Sequence, residues 1–123
     1  MDYERRLASQ PVRPIHEWER AVLKALADRA GLPAKLTDGN ALDTHRVREM
    51  LDGGMGSIRF VTSDEDRRGA RFSVAELQYQ DSDGVPVSFA LNLDVKNEPW
   101  EVDAFRADGS PLRRPPLDSD TRT

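Results

Sequence analysis

The chain offers few residues able to do chemistry, and their spacing narrows the choice further. Its two histidines are His16 and His45, and Asp43 lies two positions before the second. An aspartate and a histidine make a conceivable metal pair, yet a zinc site takes three or four protein ligands. A histidine could activate a serine, but no serine here stands in a nucleophile-elbow setting. Cysteine is absent, which removes thiol nucleophiles, thiolate metal sites and disulfides together. Gly53, Gly54 and Gly56 invite a phosphate-loop reading. A Walker loop follows its last glycine with lysine and a hydroxyl residue, whereas Ser57 and Ile58 follow Gly56. A dinucleotide fingerprint opens a helix, and a strand is expected here instead. The cluster therefore reads as a turn requiring positive φ, and both histidines as structural or surface groups. The expectation is a protein without metal, cofactor or catalysis.

Carboxylates are abundant, with 22 acids against 18 lysines and arginines. Acid–base catalysis needs them in differently perturbed environments within a cleft, and most here fall in expected turns or on the polar side of a strand. That strand is residues 85–95. Val85, Val87, Phe89, Leu91, Leu93 and Val95 are apolar, and Pro86, Ser88, Ala90, Asn92 and Asp94 between them are small or polar. A period of two means one buried face and one wet face. If residues 100–106 return as a hairpin partner, Trp100 and Val102 join the apolar face. Glu101 and Asp103 then emerge beside Asn92 and Asp94, and Phe105 adds an aromatic to that wet face. Residues 85–103 carry Asp94, Glu98, Glu101 and Asp103 against Lys96 alone, whereas Arg46, Arg48 and Arg59 gather on a preceding hairpin. The candidate site is thus a partner-binding face of Asn92, Asp94, Glu101, Asp103 and Phe105. Charge complementarity there would set on-rate and specificity for a basic protein surface.

The elements that must position this face follow from patterning. At 123 residues the chain can form one core without staples; 37% hydrophobic and 33% charged residues imply a modest core under a heavily charged shell. Residues 1–13 read as an N-terminal arm or short helix. A helix is expected from Pro14 or Ile15 to Ala30, with Trp18, Val22, Ala25 and Leu26 on one face, stopped by Gly31, Leu32 and Pro33. Residues 34–42 form a turn-rich connector. Residues 44–51 fit a helix or a strand; the glycine turn and strand-like residues 57–62 after them favour a hairpin. A hydrophilic loop (63–70) precedes strands at 71–80, 85–95 and 100–106. Residues 107–123, broken by Pro111, Pro115 and Pro116, read as an extended or disordered tail. The expected domain, residues 14–106, is α+β: an N-terminal helix packed on an antiparallel sheet of four or five strands in meander order.

A formal charge of −4 argues against general nucleic-acid or membrane binding, both of which favour a basic excess. The first thirty residues lack the apolar stretch of a signal peptide, so a cytoplasmic protein is expected.

Asp52-Gly53-Gly54-Met55-Gly56-Ser57-Ile58-Arg59-Phe60, residues 83–94 (DGVPVSFALNLD) and Trp100-Glu101-Val102-Asp103 together resemble a family of small bacterial proteins of uncharacterised function, over about residues 14–112. The resemblance implies a compact α+β domain and supplies no catalytic residues. By analogy with small acidic bacterial proteins of this kind, it implies an immunity protein that binds and neutralises a cognate toxin. Two other readings stay open. One is an enzyme or small-ligand protein with a pocket between helix and sheet, using Asp43, His45, Arg46, Arg48 or Arg59. The other is a structural or assembly domain, which would carry a large apolar homodimer interface.

Overall fold

The computed structural model describes residues 2–33, 39–62 and 68–121. The chain order is α1 (Tyr3–Ala8), β1 (Arg13–Pro14), α2 (Glu17–Arg29), α3 (Gly39–Asp43), β2 (Arg46–Glu49), β3 (Ile58–Val61), β4 (Gly69–Gln80), β5 (Pro86–Asp94), β6 (Pro99–Arg106) and α4 (Asp118–Thr121). Most of the connector expected at 34–42 and of the loop at 63–70, including Asp64, Glu65 and Asp66, lies outside the described residues. Among the described residues, no helix is long and apolar enough to cross a membrane.

Local chemistry accounts for the helices. The Asp2 carboxylate caps α1 by accepting the Arg5 N–H at 2.8 Å. Helix α2 begins at Glu17 rather than at Pro14 or Ile15, because Pro14 is drawn into β1 opposite Arg46. Glu19 reaches back to accept the His16 N–H at 2.8 Å. At the other end Gly31 takes φ 68°, and Leu32 folds back to donate to the Ala27 carbonyl at 3.0 Å.

The sheet is antiparallel throughout, but it has six strands, in the order β1-β2-β3-β6-β5-β4. The expected meander of four or five strands is therefore corrected. The β2–β3 hairpin and the β4–β5–β6 meander meet where β3 pairs with β6, and β4, the next strand in the chain after β3, stands at the far edge. That junction sets Ile58 opposite Val102 and Arg59 opposite Glu101, an apolar pair beside an ion pair, each a favourable cross-strand match. The sixth strand, β1, is only two residues long and is recruited by β2.

Residues 44–51 resolve in favour of strand, with Val47 opposite Phe60 across the β2–β3 hairpin. The glycine turn between them is organised by Asp52, whose carboxylate accepts the N–H groups of Gly54, Met55 and Ser57. Gly56 takes φ 107°, and a Cβ there would meet Trp18 Cη2 at 3.3 Å. The turn thus serves packing as well as direction.

One core holds Val22, Leu23, Leu26 and Ala27 of α2 together with Val47, Phe60, Leu77, Tyr79, Phe89, Leu91 and Val102 of the strands. Val87, Phe89, Leu91 and Leu93 are all buried, each stabilising the fold by about 1.5–3 kcal/mol. The alternation stops there. Val95 is 68% exposed, and Asp94 is buried because the chain turns beneath it. The Asp94 carboxylate accepts the N–H groups of Lys96 (2.8 Å) and Glu98 (3.0 Å), and Asn97 takes φ 64°.

The far end of β6 is held by Arg106, fully buried and ringed by carboxylates. Its guanidinium donates to Asp81 at 2.7 Å, Asp83 at 2.8 Å, and Asp108 and Ser110 at 2.9 and 2.8 Å. Asp81 also accepts the N–H groups of Arg113 and Arg114. One side chain thereby joins the β4–β5 turn to the chain beyond β6. Nearby, the Leu112 N–H donates to the Gly54 carbonyl (3.0 Å) and the Tyr79 hydroxyl to the Arg114 carbonyl (2.8 Å).

Candidate functional site

Alternation along β6 sends Val102, Ala104 and Arg106 inward and Glu101, Asp103 and Phe105 to the opposite face. Strand register carries that face across the sheet. Arg48 lies opposite Arg59, Arg59 opposite Glu101, Glu101 opposite Asn92, and Asn92 opposite Ser73. A parallel row runs through Asp103, Ala90 and Glu76, and a third through Phe105, Ser88 and Gln78.

Helix α1 lies over the β2–β3 part of this face. Glu4 pairs with Arg59 (3.0 Å), the Arg48 Nε donates to the Gln10 carbonyl (3.0 Å), and Leu7 is buried. Arg46, Arg48 and Arg59 do stand together on the β2–β3 hairpin, and each is engaged: two are tied to the N-terminal segment, and Arg46 donates to the His45 carbonyl at 3.1 Å. Arg59 is the hinge of the face. Its Nε donates to Glu101 at 2.8 Å, and its guanidinium lies 4.3 Å from the centroid of the Trp100 ring, a cation–π distance.

Trp100 had been expected on the apolar side with Val102. The register instead slips between Asn92 and Leu93, so that Asn92 opposes Glu101 and Leu93 opposes Pro99, with Trp100 at the bulge. This bulge re-aims the indole, which lies with Arg59 and against Gly69, where a Cβ would overlap the ring.

Of the five residues expected on the binding face, Asn92, Glu101, Asp103 and Phe105 stand together. Asp94 does not; its carboxylate is consumed inside the β5–β6 turn. Asn92 donates to the Asp103 carboxylate. Burial pushes Asp103 up to about 7, and the adjacent Glu101 charge and hydrogen bond reinforce the shift; the Asn92 bond and Arg59 oppose it. Near neutral pH the Asp103 carboxyl is thus partly protonated, facing the Glu101 carboxylate. A carboxyl poised near 7 has the proton affinity of a general acid or base, but this one lies on a sheet face. Three clefts among the described residues are lined by other side chains.

His45, Asp43 and His16 lie away from this face. The His45 ring meets Phe60 edge-on at 5.0 Å, and Asp43 pairs with Arg20 at 3.3 Å. His16 borders a cleft of about 270 Å³ between α2 and the glycine turn. There Arg13 holds Glu19 by two hydrogen bonds of 2.8 Å, and Asp52 is engaged by the turn. Among the described residues, no group of three or more histidines and carboxylates is placed to hold a metal ion.

Sequence reasoning missed the Arg106 cluster, which shapes the end of this face. A signal existed: Arg106 is the one base at an inward position of β6, between the Asp81–Asp83 turn and Asp108. The hydrogen bonds hold Asp83 well below the usual carboxylate range and Asp108 at about 2, so these acids serve structure.

No curated protein and no solved structure matches this chain. Residues 12–116, from the strand that pairs with β2 to the segment that covers the glycine turn, match the model of a domain of unknown function, DUF6984, and the chain belongs to that family.

Proposed function

We propose that this domain is a non-enzymatic binding protein that engages a basic protein partner through the open β4–β6 face of its sheet. In its most specific form it is an immunity protein, neutralising a cognate toxin by covering a basic active or substrate surface. The observation that carries the reading is the Glu101–Asp103 pair. It stands beside Asn92 and the 58% exposed Phe105, on the part of the sheet that α1 leaves uncovered. An exposed aromatic is the kind of residue that interfaces enrich, and the carboxylates around it would steer a basic partner. The acidic chain adds long-range attraction for a basic partner.

The test is co-expression with the product of the adjacent gene, followed by measurement of affinity. Asp103→Lys combined with Phe105→Ala is expected to weaken the complex by about a hundredfold or more, as loss of a hot spot does. An equally tight complex with the doubly substituted chain would show that the face is wrong. A co-expressed product that never binds the wild-type chain would remove the toxin–immunity reading itself.

A further inference from the structure

Helix α1 fills only half of the layer above the polar face, and its contacts fix how it lies there. The Leu51 N–H donates to the Tyr3 hydroxyl at 3.1 Å, Glu4 pairs with Arg59 on β3, and Gln10 accepts from Arg48 on β2. The helix therefore runs over β2 and β3, antiparallel to β2. At 3.6 residues per turn, the buried Leu7 points down at the sheet, while Glu4 and Ala8 share the side toward β6. Arg6 takes the side toward β1, and Arg5 points away from the sheet. Arg5, Arg6 and Ala8 are all exposed.

Strand register gives the level of each side chain along the sheet. Arg48, Arg59, Glu101 and Asn92 share one level, and Asp103, Ala90 and Glu76 share the next. Leu51 comes two residues after Glu49, which is level with Val102 through Ile58, so Leu51 lies beyond Asp103. Between the Tyr3 contact with Leu51 and the Gln10 contact with Arg48, Arg5 and Arg6 fall at about the level of Asp103 and Glu76. The other half of the layer is open. Its middle strand, β5, carries only the short side chains Ser88, Ala90 and Asn92 on this face, with Asp103 on one flank and Glu76 on the other. Arg29 reaches the Glu76 carbonyl from α2, on the core side, and the Glu76 carboxylate is on the opposite side.

A two-fold axis parallel to the strands, between β3 and β6, lays this open half over the α1 of a second copy and leaves every level unchanged. The centre of α1, over the β2–β3 pair, is one strand spacing of about 4.8 Å from that axis. The two helices then lie side by side about 10 Å apart, a helix packing distance, with Ala8 facing Ala8. Arg5 points at Asp103 of the second copy, and Arg6 at its Glu76. We infer that a second copy of this chain occupies the open half, in an isologous dimer whose two α1 helices fill one layer between two sheets. The inference goes beyond the partner reading and stands without it. Both use one face, so partner and second copy exclude each other. The contact is small and charged, and the dimer is expected to be weak and to weaken further with salt.

The experiment is analytical ultracentrifugation of the full chain at pH 8, where Asp103 is charged. The wild type is expected to dimerise at about 0.1–1 mM in low salt and to return to monomer in high salt. The Arg5→Glu/Arg6→Glu chain and the Glu76→Lys/Asp103→Lys chain should each dimerise about tenfold more weakly or worse. An equimolar mixture of the two should dimerise as the wild type does, because each reversed helix then meets a reversed face. A wild type that stays monomeric throughout, or a dimer that both variants leave intact, overturns the inference. Should the reversed face fail to fold, Ala8→Cys decides: the chain has no cysteine, and mild oxidation should link two copies through the new thiol. Linking no faster than in a Lys24→Cys chain, whose thiol lies on α2 across the sheet, also overturns it. A monomeric chain that binds the basic partner removes the dimer alone, whereas a dimer that binds no partner removes only the partner reading.

Discussion

Replacing Asp103 by asparagine is expected to stabilise the protein at pH 8 and to leave it unchanged at pH 4. Asp103 is pushed from 3.8 up to about 7 by burial first and by Glu101 second. Because its folded pKa is raised, the folded state holds a proton that the unfolded chain has released between about pH 4 and pH 7. The associated stability is fully present below pH 4 and is lost as pH rises toward 7. A fully buried, isolated carboxyl with this shift would change stability by about 4 kcal/mol. Asp103 is only half-buried, so solvent screening reduces the change to about 1–2 kcal/mol. Asparagine matches the neutral acid in shape. Its carbonyl can accept from Asn92 and its amide can donate to Glu101, so the substitution removes the charge without leaving a polar atom unpaired. For a domain of this size about 1–2 kcal/mol corresponds to a rise in Tm of about 4–8 °C at pH 8. The assay is urea unfolding of both chains at half-unit steps from pH 4 to pH 8, following the midpoint. If Asp103→Asn lowers the midpoint at pH 8 as much as at pH 4, Asp103 is an ordinary ionised surface acid and the coupled pair does not exist.

Two further predictions concern the packing that supports the face. The wild-type chain should lose stability as pH falls below 4, because Asp81, Asp83 and Asp108 all titrate below their ordinary range through Arg106 and backbone N–H groups. Stability from depressed carboxylates is present above the unfolded pKa and lost as pH falls through the folded one. Arg106→Met should lower Tm sharply at pH 7, where it strands three carboxylates, and much less at pH 2.5; equal losses at both pH values would mean that the charges do not act together. Gly69→Ala places a methyl group where the Trp100 indole lies, so it should cost about 1–3 kcal/mol through overpacking and red-shift tryptophan emission as the ring leaves Arg59. Unchanged emission and unfolding midpoint would show that the indole does not rest on Gly69.

Much of the architecture was legible because it is local. The two-residue period of Val87 to Leu93 and the glycine turn after β2 are short-range properties, and so is the Gly31–Leu32 stop after α2. Each reflects backbone geometry or a side chain meeting its near neighbours. The four positions that share this face, Asn92, Glu101, Asp103 and Phe105, follow from the same alternation read on two strands of one hairpin. Asp94 turns away from that face because a turn needs acceptors for its N–H groups, and the nearest carboxylate supplies them.

From the sequence alone came an α+β domain, a strand with one buried face, and an acidic stretch with few residues suited to catalysis. Only the tertiary structure decided that β3 pairs with β6, that a bulge sends Trp100 to Arg59, and that α1 closes half of the polar face. It alone placed Arg106 among three aspartates and left β4 at the edge of the sheet. These outcomes depend on which distant strand supplies the better cross-strand partners and on where the register slips. A period of two says which side a residue takes, but not what lies opposite it.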